Sequence, residues 1–175
     1  MNTVQKILVP VDFSERSANG LKYAASLAQE MKTELIVLHV FDKNDPYSFL
    51  DSLATFEGWP IPRNGSTRIP VDIWLRERAL DLYNFIQKEV RNPDRLRIKR
   101  KVRIGNPVKE ILGVAKEERI DLIVLALQKK SLFSYLMARG TWLKFIWRFP
   151  CPVLLTPPIP RERPERGQTA ISWQI

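Results

Sequence analysis

A short apolar segment near the start of the chain ends on a carboxylate and passes directly into a helix signal. Residues 6–14 read Lys-Ile-Leu-Val-Pro-Val-Asp-Phe-Ser. The apolar run is too continuous for a strand with one solvated face, which predicts a strand covered on both sides, as in a parallel sheet with helices on each face. Asp12 then lies at the carboxyl end of the strand, where open parallel sheets bind their ligands. Two interpretations stay open for Asp12: an acid that faces a ligand, or one that helps to cap a helix beginning near Ser14.

The following segments alternate between helix and strand. Ser14 can cap a helix to about Met31. Its apolar residues Ala18, Leu21, Ala25 and Ala28 recur at helical spacing, and Met31 closes this stripe. A second continuous apolar run, over residues 34–41, is short and rich in branched residues and predicts a strand. The chain therefore opens as strand, helix, strand.

The rest of the chain extends the same alternation. The helical period returns over residues 71–90, with Val71, Leu75, Ala79, Leu82, Tyr83, Ile86 and Val90 on one stripe. Asn106 and Pro107 are a natural cap and first residue of the next helix, with Val108, Ile111, Leu112 and Ala115 as its apolar face. Further elements are predicted as a basic strand over 96–104, a strand over 121–127, a helix opening at Gly140-Thr141, and a strand over 151–156.

One α/β domain accounts for most of the 175 residues. We expect it to span residues 1–157, with an insert rich in proline and glycine over 42–70, followed by a basic, proline-rich tail over 158–175. A single cysteine, Cys151, cannot form an internal disulfide, which favours a reducing cytoplasm. No apolar stretch approaches the roughly 20 residues that span a bilayer, so we expect no membrane contact.

The basic charge of the chain is unevenly distributed. Lys and Arg outnumber Asp and Glu by 28 to 19, for a formal net charge of +9, and residues 88–103 hold much of the excess. Basic residues there alternate with Leu96, Ile98, Val102 and Ile104, the pattern of a strand whose charged face protects a sheet edge. No aromatic residue is interleaved to stack a base, so nucleic acid is the less favoured partner.

The order of several short motifs resembles the universal stress protein family over about residues 4–156. The matching phrases are residues 6–14, Gly105-Asn106-Pro107, Asp121-Leu-Ile-Val, and Pro150-Cys-Pro-Val-Leu-Leu. The resemblance implies a doubly wound, Rossmann-like sheet of five parallel strands in the order 3-2-1-4-5, with helices on both faces. It also implies a homodimer through the fifth strand, at Val153, Leu154 and Leu155, and this edge is the short apolar one left free to pair.

Many members of that family bind ATP or AMP, so the resemblance implies a nucleotide pocket at the carboxyl ends of the strands. Pro10 and Asp12 match the residues that flank the nucleotide, with Asp12 at the ribose and adenine, and Val40 matches a backbone contact to the adenine edge. The remaining positions of this pocket lie at and beyond the end of the fourth strand: Leu125, Ala126, Lys129, Lys130, Gly140 and Thr141.

The phosphate loop departs from the family pattern. In members that bind nucleotide, the fourth strand is followed by the motif Gly-x-x-Gly, then by nine residues, and then by Gly and a Ser or Thr. The backbone N–H groups of this loop donate hydrogen bonds to the phosphates. Gly140-Thr141 remains, but the earlier glycines fall on Ala126 and Lys129 or, counted back from Gly140, on Leu127 and Lys130. Because a side chain at a positive-φ position costs on the order of 1–2 kcal/mol, we expect ATP binding to be lost or weakened. The alternative is that Lys129 and Lys130 supply charge to the phosphates.

Catalytic chemistry has little support in the sequence. There is one histidine, His39, which we interpret as a hydrogen-bonded strand residue, and no metal-ligand cluster or Walker loop. Cys151 lacks an evident base and is interpreted as a small core residue. The leading prediction is a non-enzymatic stress-response protein that acts by binding an unknown protein partner. Alternatives are a slowly hydrolysing nucleotide-binding member and an adaptor for anions or nucleic acids.

Overall fold

Five parallel strands form one sheet with helices on both faces. The structure, a computed structural model, describes residues 3–41, 71–126 and 148–156, with the backbone alone for residues 71–74. The strands are β1 (Lys6–Val11), β2 (Glu34–Phe41), β3 (Arg97–Ile104), β4 (Leu122–Ala126) and β5 (Val153–Thr156). The helices are α1 (Glu15–Met31), α2 (Val71–Glu89) and α3 (Pro107–Glu117), with a 3₁₀ turn over Pro93–Arg95.

The sheet order is β3-β2-β1-β4-β5, and every neighbouring pair is parallel. The predicted doubly wound fold is therefore confirmed. Its order reverses at β1, which lies between β2 and β4, so the carboxyl ends of these three strands meet at the switch point of the sheet. The predicted insert over 42–70, the helix opening at Gly140-Thr141 and the tail over 158–175 lie outside the described residues.

Local sequence signals explain where the helices begin and end. The Ser14 side chain accepts a hydrogen bond from the Ser17 N–H at 3.2 Å and caps α1, as its sequence predicts. At the other end of α1, Lys32 adopts a left-handed conformation with φ of 54° and its N–H bonds back to the last turn. Asn106 caps α3 through the Lys109 N–H at 3.2 Å, and Pro107 is the first helical residue.

Both faces of the central strands β1, β2 and β4 are buried, which explains their continuous apolar sequences. On one face, Ile7 and Val9 of β1 pack with α1 and α2; on the other, Leu8 packs with α3. Alternate residues of a strand point to opposite faces, so covering both faces requires the run to be apolar throughout.

Several residues of the predicted helix faces are not buried. Met31 does not close the buried stripe of α1, since its side chain is exposed, and Val114 rather than Leu112 is fully buried in α3. In α2, Leu82 and Ile86 reach the core as expected, whereas Leu75, Ala79 and Tyr83 are exposed. Periodicity shows which residues share one face of a helix, but it does not show how much of that face the sheet covers.

The basic strand β3 forms one edge of the sheet, and its charges are largely paired within the molecule. Lys99 Nζ lies 2.9 Å from both carboxylate oxygens of Glu118, at the end of α3, and Lys101 also contacts this carboxylate. Arg103 donates to Glu117 at 2.6 Å. The charged face of β3 therefore pairs with the helix that covers it.

Candidate functional site

The segment that follows β1 is organised around Asp12. Its Oδ1 accepts hydrogen bonds from the Ser14 hydroxyl at 2.6 Å and from the Ser14 N–H at 3.2 Å, which is the geometry of an Asx turn. The Asp12 N–H donates to the Ser17 hydroxyl at 3.3 Å. Asp12 is nevertheless exposed. The structure therefore confirms that Asp12 supports the start of α1. The acid is also accessible at the carboxyl end of β1, and its role as a ligand-facing acid stays a prediction.

Phe13 adopts a conformation that the sequence does not reveal. Its φ is 60°, in the left-handed region that bulky residues rarely enter. The ring lies 4.2 Å from the His39 ring, tilted by 33°, and contacts Phe85 edge-on at 5.4 Å between centroids. These contacts hold the ring beneath the turn and thereby fix the backbone that carries Asp12.

His39 is buried on β2 beneath this turn. Its Nδ1 lies 3.0 Å from the Val11 carbonyl oxygen, and because a carbonyl only accepts, Nδ1 carries the proton. Burial lowers the pKa of His39, the hydrogen bond to Val11 opposes that shift, and nearby Arg78 adds to it. The interpretation of His39 as a hydrogen-bonded strand residue agrees with this geometry. Val40, the next residue, is buried on the opposite face of the sheet.

The end of β4 packs closely against α1. Leu125 is buried and its carbonyl oxygen accepts from the Thr156 hydroxyl at 3.4 Å. A Cβ built on Gly20 of α1 would lie 3.1 Å from the Ala126 Cβ, so the helix and the strand touch at this point. Ala126 is not among the described residues with positive φ and therefore continues ordinary extended backbone.

The fold brings part of the predicted pocket together. Pro10, Asp12, Val40, Leu125 and Ala126 all lie at the carboxyl ends of the three central strands. Of the other predicted positions, Lys129, Lys130, Gly140 and Thr141 lie outside the described residues. Sequence reasoning missed Phe13, and the chain carries no local signal for its role because its partners are distant in sequence.

The environment of Cys151 does not favour a nucleophilic thiolate. Burial raises the pKa of the Cys151 thiol to about 11, with Asp121 contributing, which suppresses the thiolate that a nucleophile needs. Within residues 3–41, 71–126 and 148–156, no cluster of three or more His, Cys, Asp or Glu residues could hold a metal ion. The same residues contain no helix long and apolar enough to cross a membrane.

Comparison with known proteins identifies the family. Residues 3–157 match the model of the Universal stress protein family. The chain belongs to the universal stress protein family. Two curated relatives come from Methanocaldococcus jannaschii: universal stress protein MJ0531 is 25% identical over 154 residues, covering 88% of this chain and 82% of the relative. Universal stress protein MJ0577 is 28% identical over 132 residues, covering 73% and 78%.

Solved structures share the fold of this universal stress protein. That of MJ0577 superposes with a TM-score of 0.58 at 22% identity, covering 91% of this chain and 100% of the other. A universal stress protein from Archaeoglobus fulgidus in complex with dAMP has a TM-score of 0.52 at 20% identity, covering 88% and 98%. A universal stress protein in complex with cAMP has a TM-score of 0.56 at 17% identity, covering 89% and 98%.

Proposed function

We propose that this universal stress protein is a regulatory binding protein in which capture of a nucleoside triphosphate is weakened or lost. The observation that carries the proposal is the absence of glycine where the family's phosphate loop needs bare backbone. In either alignment these positions hold Ala126 and Lys129, or Leu127 and Lys130. Amide donors converge on a phosphate only where the backbone can approach closely, and side chains prevent this approach.

The contact between α1 and β4 supports the same conclusion. Ala126 ends the described part of β4 in extended backbone, and its methyl group lies against Gly20. The end of the strand therefore cannot shift toward α1 to compensate for the missing glycine.

The nucleoside half of the family pocket is better preserved. Asp12 is exposed and held by Ser14, at the position that contacts ribose and adenine in binding members. Pro10 and Val40 also match the family pattern. Two structural neighbours were solved with cAMP and with dAMP, and each of these ligands has a single phosphate. We therefore assign AMP-like ligands, rather than ATP, as the nucleotide signal of this protein.

A second candidate function follows from two adjacent lysines. Lys129 and Lys130 stand where the second glycine is missing, and ammonium groups are effective point charges for phosphate. In this alternative, the protein binds ATP and hydrolyses it slowly. The adaptor for nucleic acids is less favoured, because Lys99, Lys101 and Arg103 already pair with carboxylates at the carboxyl end of α3.

We further propose that the protein acts in the cytoplasm as a homodimer through β5. This strand is the second edge of the sheet, and Val153 and Leu154 are half-buried while Leu155 is exposed. An apolar edge strand of this kind is stabilised when a second copy pairs with it.

Thermal unfolding with AMP, adenosine or ATP and magnesium tests the proposal. A ligand present at 100 times its dissociation constant adds about 2.7 kcal/mol to the free energy of unfolding. We expect AMP to raise the melting temperature more than ATP does, and the variant Asp12→Asn to lose the shift. Asp94→Asn, at an exposed site far from the pocket, serves as the control.

The same experiment separates the two candidate functions. Stabilisation by ATP that exceeds that by AMP, and that disappears in the double variant Lys129→Ala and Lys130→Ala, would establish the lysine alternative. Absence of any shift at millimolar nucleotide would remove both nucleotide assignments. Light scattering of Leu155→Asp against Tyr23→Asp, another exposed apolar position, tests the dimer independently.

A further inference from the structure

The middle of α2 leaves apolar side chains uncovered. Leu80 is 62% exposed and Tyr83 is 43% exposed, whereas Leu82 of the same helix is fully buried. Isolated exposed apolar residues are common, but these lie on neighbouring turns of one helix and so form a continuous surface.

These side chains line a groove between α2 and the edge strand β3. Leu75, Ala79, Leu80 and Tyr83 of α2 form one wall, Val102 of β3 forms part of the other, and this open groove has a volume of about 840 Å³. The charged residues along it are Arg76 and Arg100, and none of the described lining residues is acidic. The groove is therefore apolar inside and positively charged at its rim.

One of the two arginines is already oriented by the groove. The guanidinium carbon of Arg100 lies 4.9 Å from the centroid of the Tyr83 ring, over its face. Unlike Lys99, Lys101 and Arg103, which alternate with it along β3, Arg100 points to the α2 side of the sheet. Its charge is thus directed toward the groove and away from the carboxylates of α3.

The backbone of β3 borders the groove, and at alternate residues its N–H and C=O groups point away from the sheet. The Gly105 N–H donates to the Phe41 carbonyl oxygen of β2 at 2.9 Å, so odd-numbered residues of β3 bond inward. Because the directions alternate along a parallel strand, the N–H and C=O groups of Ile98, Arg100 and Val102 face away from β2. In the described part of the chain, no strand pairs with this edge.

We propose that the groove and the outer edge of β3 together bind an extended acidic segment of a partner protein. The segment adds to the sheet beside β3, places an apolar side chain in the groove, and pairs its carboxylates with Arg76 and Arg100. Edge addition uses main-chain hydrogen bonds for affinity and side-chain pockets for specificity. The charge at the rim selects acidic segments, since like charges at this position repel basic ones.

The position of the groove favours a peptide over a small apolar acid. A fatty acid would occupy the groove and satisfy the arginines, but it would leave the backbone groups of Ile98, Arg100 and Val102 unused. Only an extended chain satisfies the apolar groove, the two guanidinium groups and the strand edge at once. This surface lies on the edge of the sheet opposite to β5 and does not depend on the nucleotide proposal.

Fluorescence anisotropy with the full chain tests the proposal. The probe is a short labelled peptide of alternating leucine and glutamate, and its matched control carries lysine in place of glutamate. We expect the glutamate peptide to bind and the lysine peptide not to bind. The variants Arg100→Glu and Leu80→Asp should each weaken binding by about tenfold or more. Lys116→Glu and Tyr23→Asp, at exposed positions outside the groove, should bind as the unmodified chain does.

Amide hydrogen exchange gives the signature of strand addition. On binding, the outward amides of Ile98, Arg100 and Val102 should exchange more slowly, while the inward amides of Lys99 and Lys101 should not change. Failure of the glutamate peptide to bind, equal binding of the lysine peptide, or binding without this alternating protection would overturn the proposal. So would slow exchange of the outward amides in the free protein, since the chain itself would then cover the edge. If decanoate displaces the peptide, and neither ligand slows exchange of the outward amides, the groove would be assigned to lipid instead.

Discussion

The Nδ1 atom of His39 lies 3.0 Å from the carbonyl oxygen of Val11, so an imidazole joins two central strands just below the turn that carries Asp12. The ring is buried and stacks on Phe13. Desolvation penalises the imidazolium in this environment, which ties the protonation of one side chain to the stability of the strand ends around the candidate site.

We predict that the imidazole of His39 titrates below 6.5. His39 is the only histidine of the chain, so its proton resonances can be followed through a pH titration without ambiguity. Since the pKa is lowered in the folded state, the unfolded chain binds a proton first as the pH falls below 6.5, and the free energy of unfolding decreases. The variant His39→Gln should lack this component. An imidazole that titrates at or above 6.5 would contradict the prediction.

The carboxylate of Glu118 should stabilise the protein in a pH-dependent manner. Hydrogen bonds from Lys101 and then Lys99 lower its pKa from 4.5 to about 2, so its contribution is complete above pH 4.5 and is lost as the pH falls toward 2. We expect Glu118→Gln to cost about 1 kcal/mol near neutral pH and much less at pH 2. Urea unfolding at both pH values measures this difference. Glu30→Gln, at an exposed position of α1, should show little effect at either pH.

Two glycines within helices should respond in opposite ways to alanine. A Cβ at Gly20 would lie 3.1 Å from the Ala126 Cβ, whereas nothing lies within 4 Å of a Cβ at Gly113. Alanine gains about 1 kcal/mol of helix propensity over glycine, but crowding a packed contact costs about 1–3 kcal/mol. Gly113→Ala should therefore stabilise the protein by about 0.5–1 kcal/mol, and Gly20→Ala should destabilise it by about 1 kcal/mol. Equal shifts of the urea midpoint would refute the assigned contact.

The thiol of Cys151 should be unreactive while the protein is folded. Its pKa is raised from 9.0 to about 11, so the thiolate fraction near neutral pH is lower by about 100-fold. Because no other cysteine is present, the reaction with Ellman's reagent reports on this site alone. We expect slow reaction in buffer and rapid reaction in urea. A chain carrying Cys151→Ser and Ser26→Cys, with the new thiol exposed on α1, should react rapidly in both.

The elements that could be predicted from the sequence are those specified by neighbouring residues. The cap at Ser14 and the pair Asn106-Pro107 each determine a helix start, and both were confirmed. The sheet order followed from the resemblance to a family, and the burial of both faces followed from apolar runs such as residues 34–41. These signals are local, so they survive without knowledge of the tertiary structure.

The features that escaped prediction depend on residues distant in the sequence. The left-handed turn at Phe13 is held by His39 and Phe85, which no pattern around Phe13 indicates. The sequence likewise displays the charges of β3 but not their partners, since Lys99 and Glu118 meet only after α3 packs on the sheet. At the candidate site, the missing glycines were visible directly in the sequence, whereas the close approach of Gly20 to Ala126 required the structure.

The pairing of β3 with the end of α3 changes how the high isoelectric point of this chain should be understood. Along that side, Lys99, Lys101 and Arg103 pair with the two carboxylates of Glu117 and Glu118, so most of their charge is neutralised within the molecule. Because these pairs lie at hydrogen-bonding distance, added salt should weaken them much less than it would weaken contacts with a polyanion. On the α3 side of the sheet, the basic residues of this protein stabilise its own packing. Only on the α2 side, at Arg76 and Arg100, is positive charge directed toward a possible ligand.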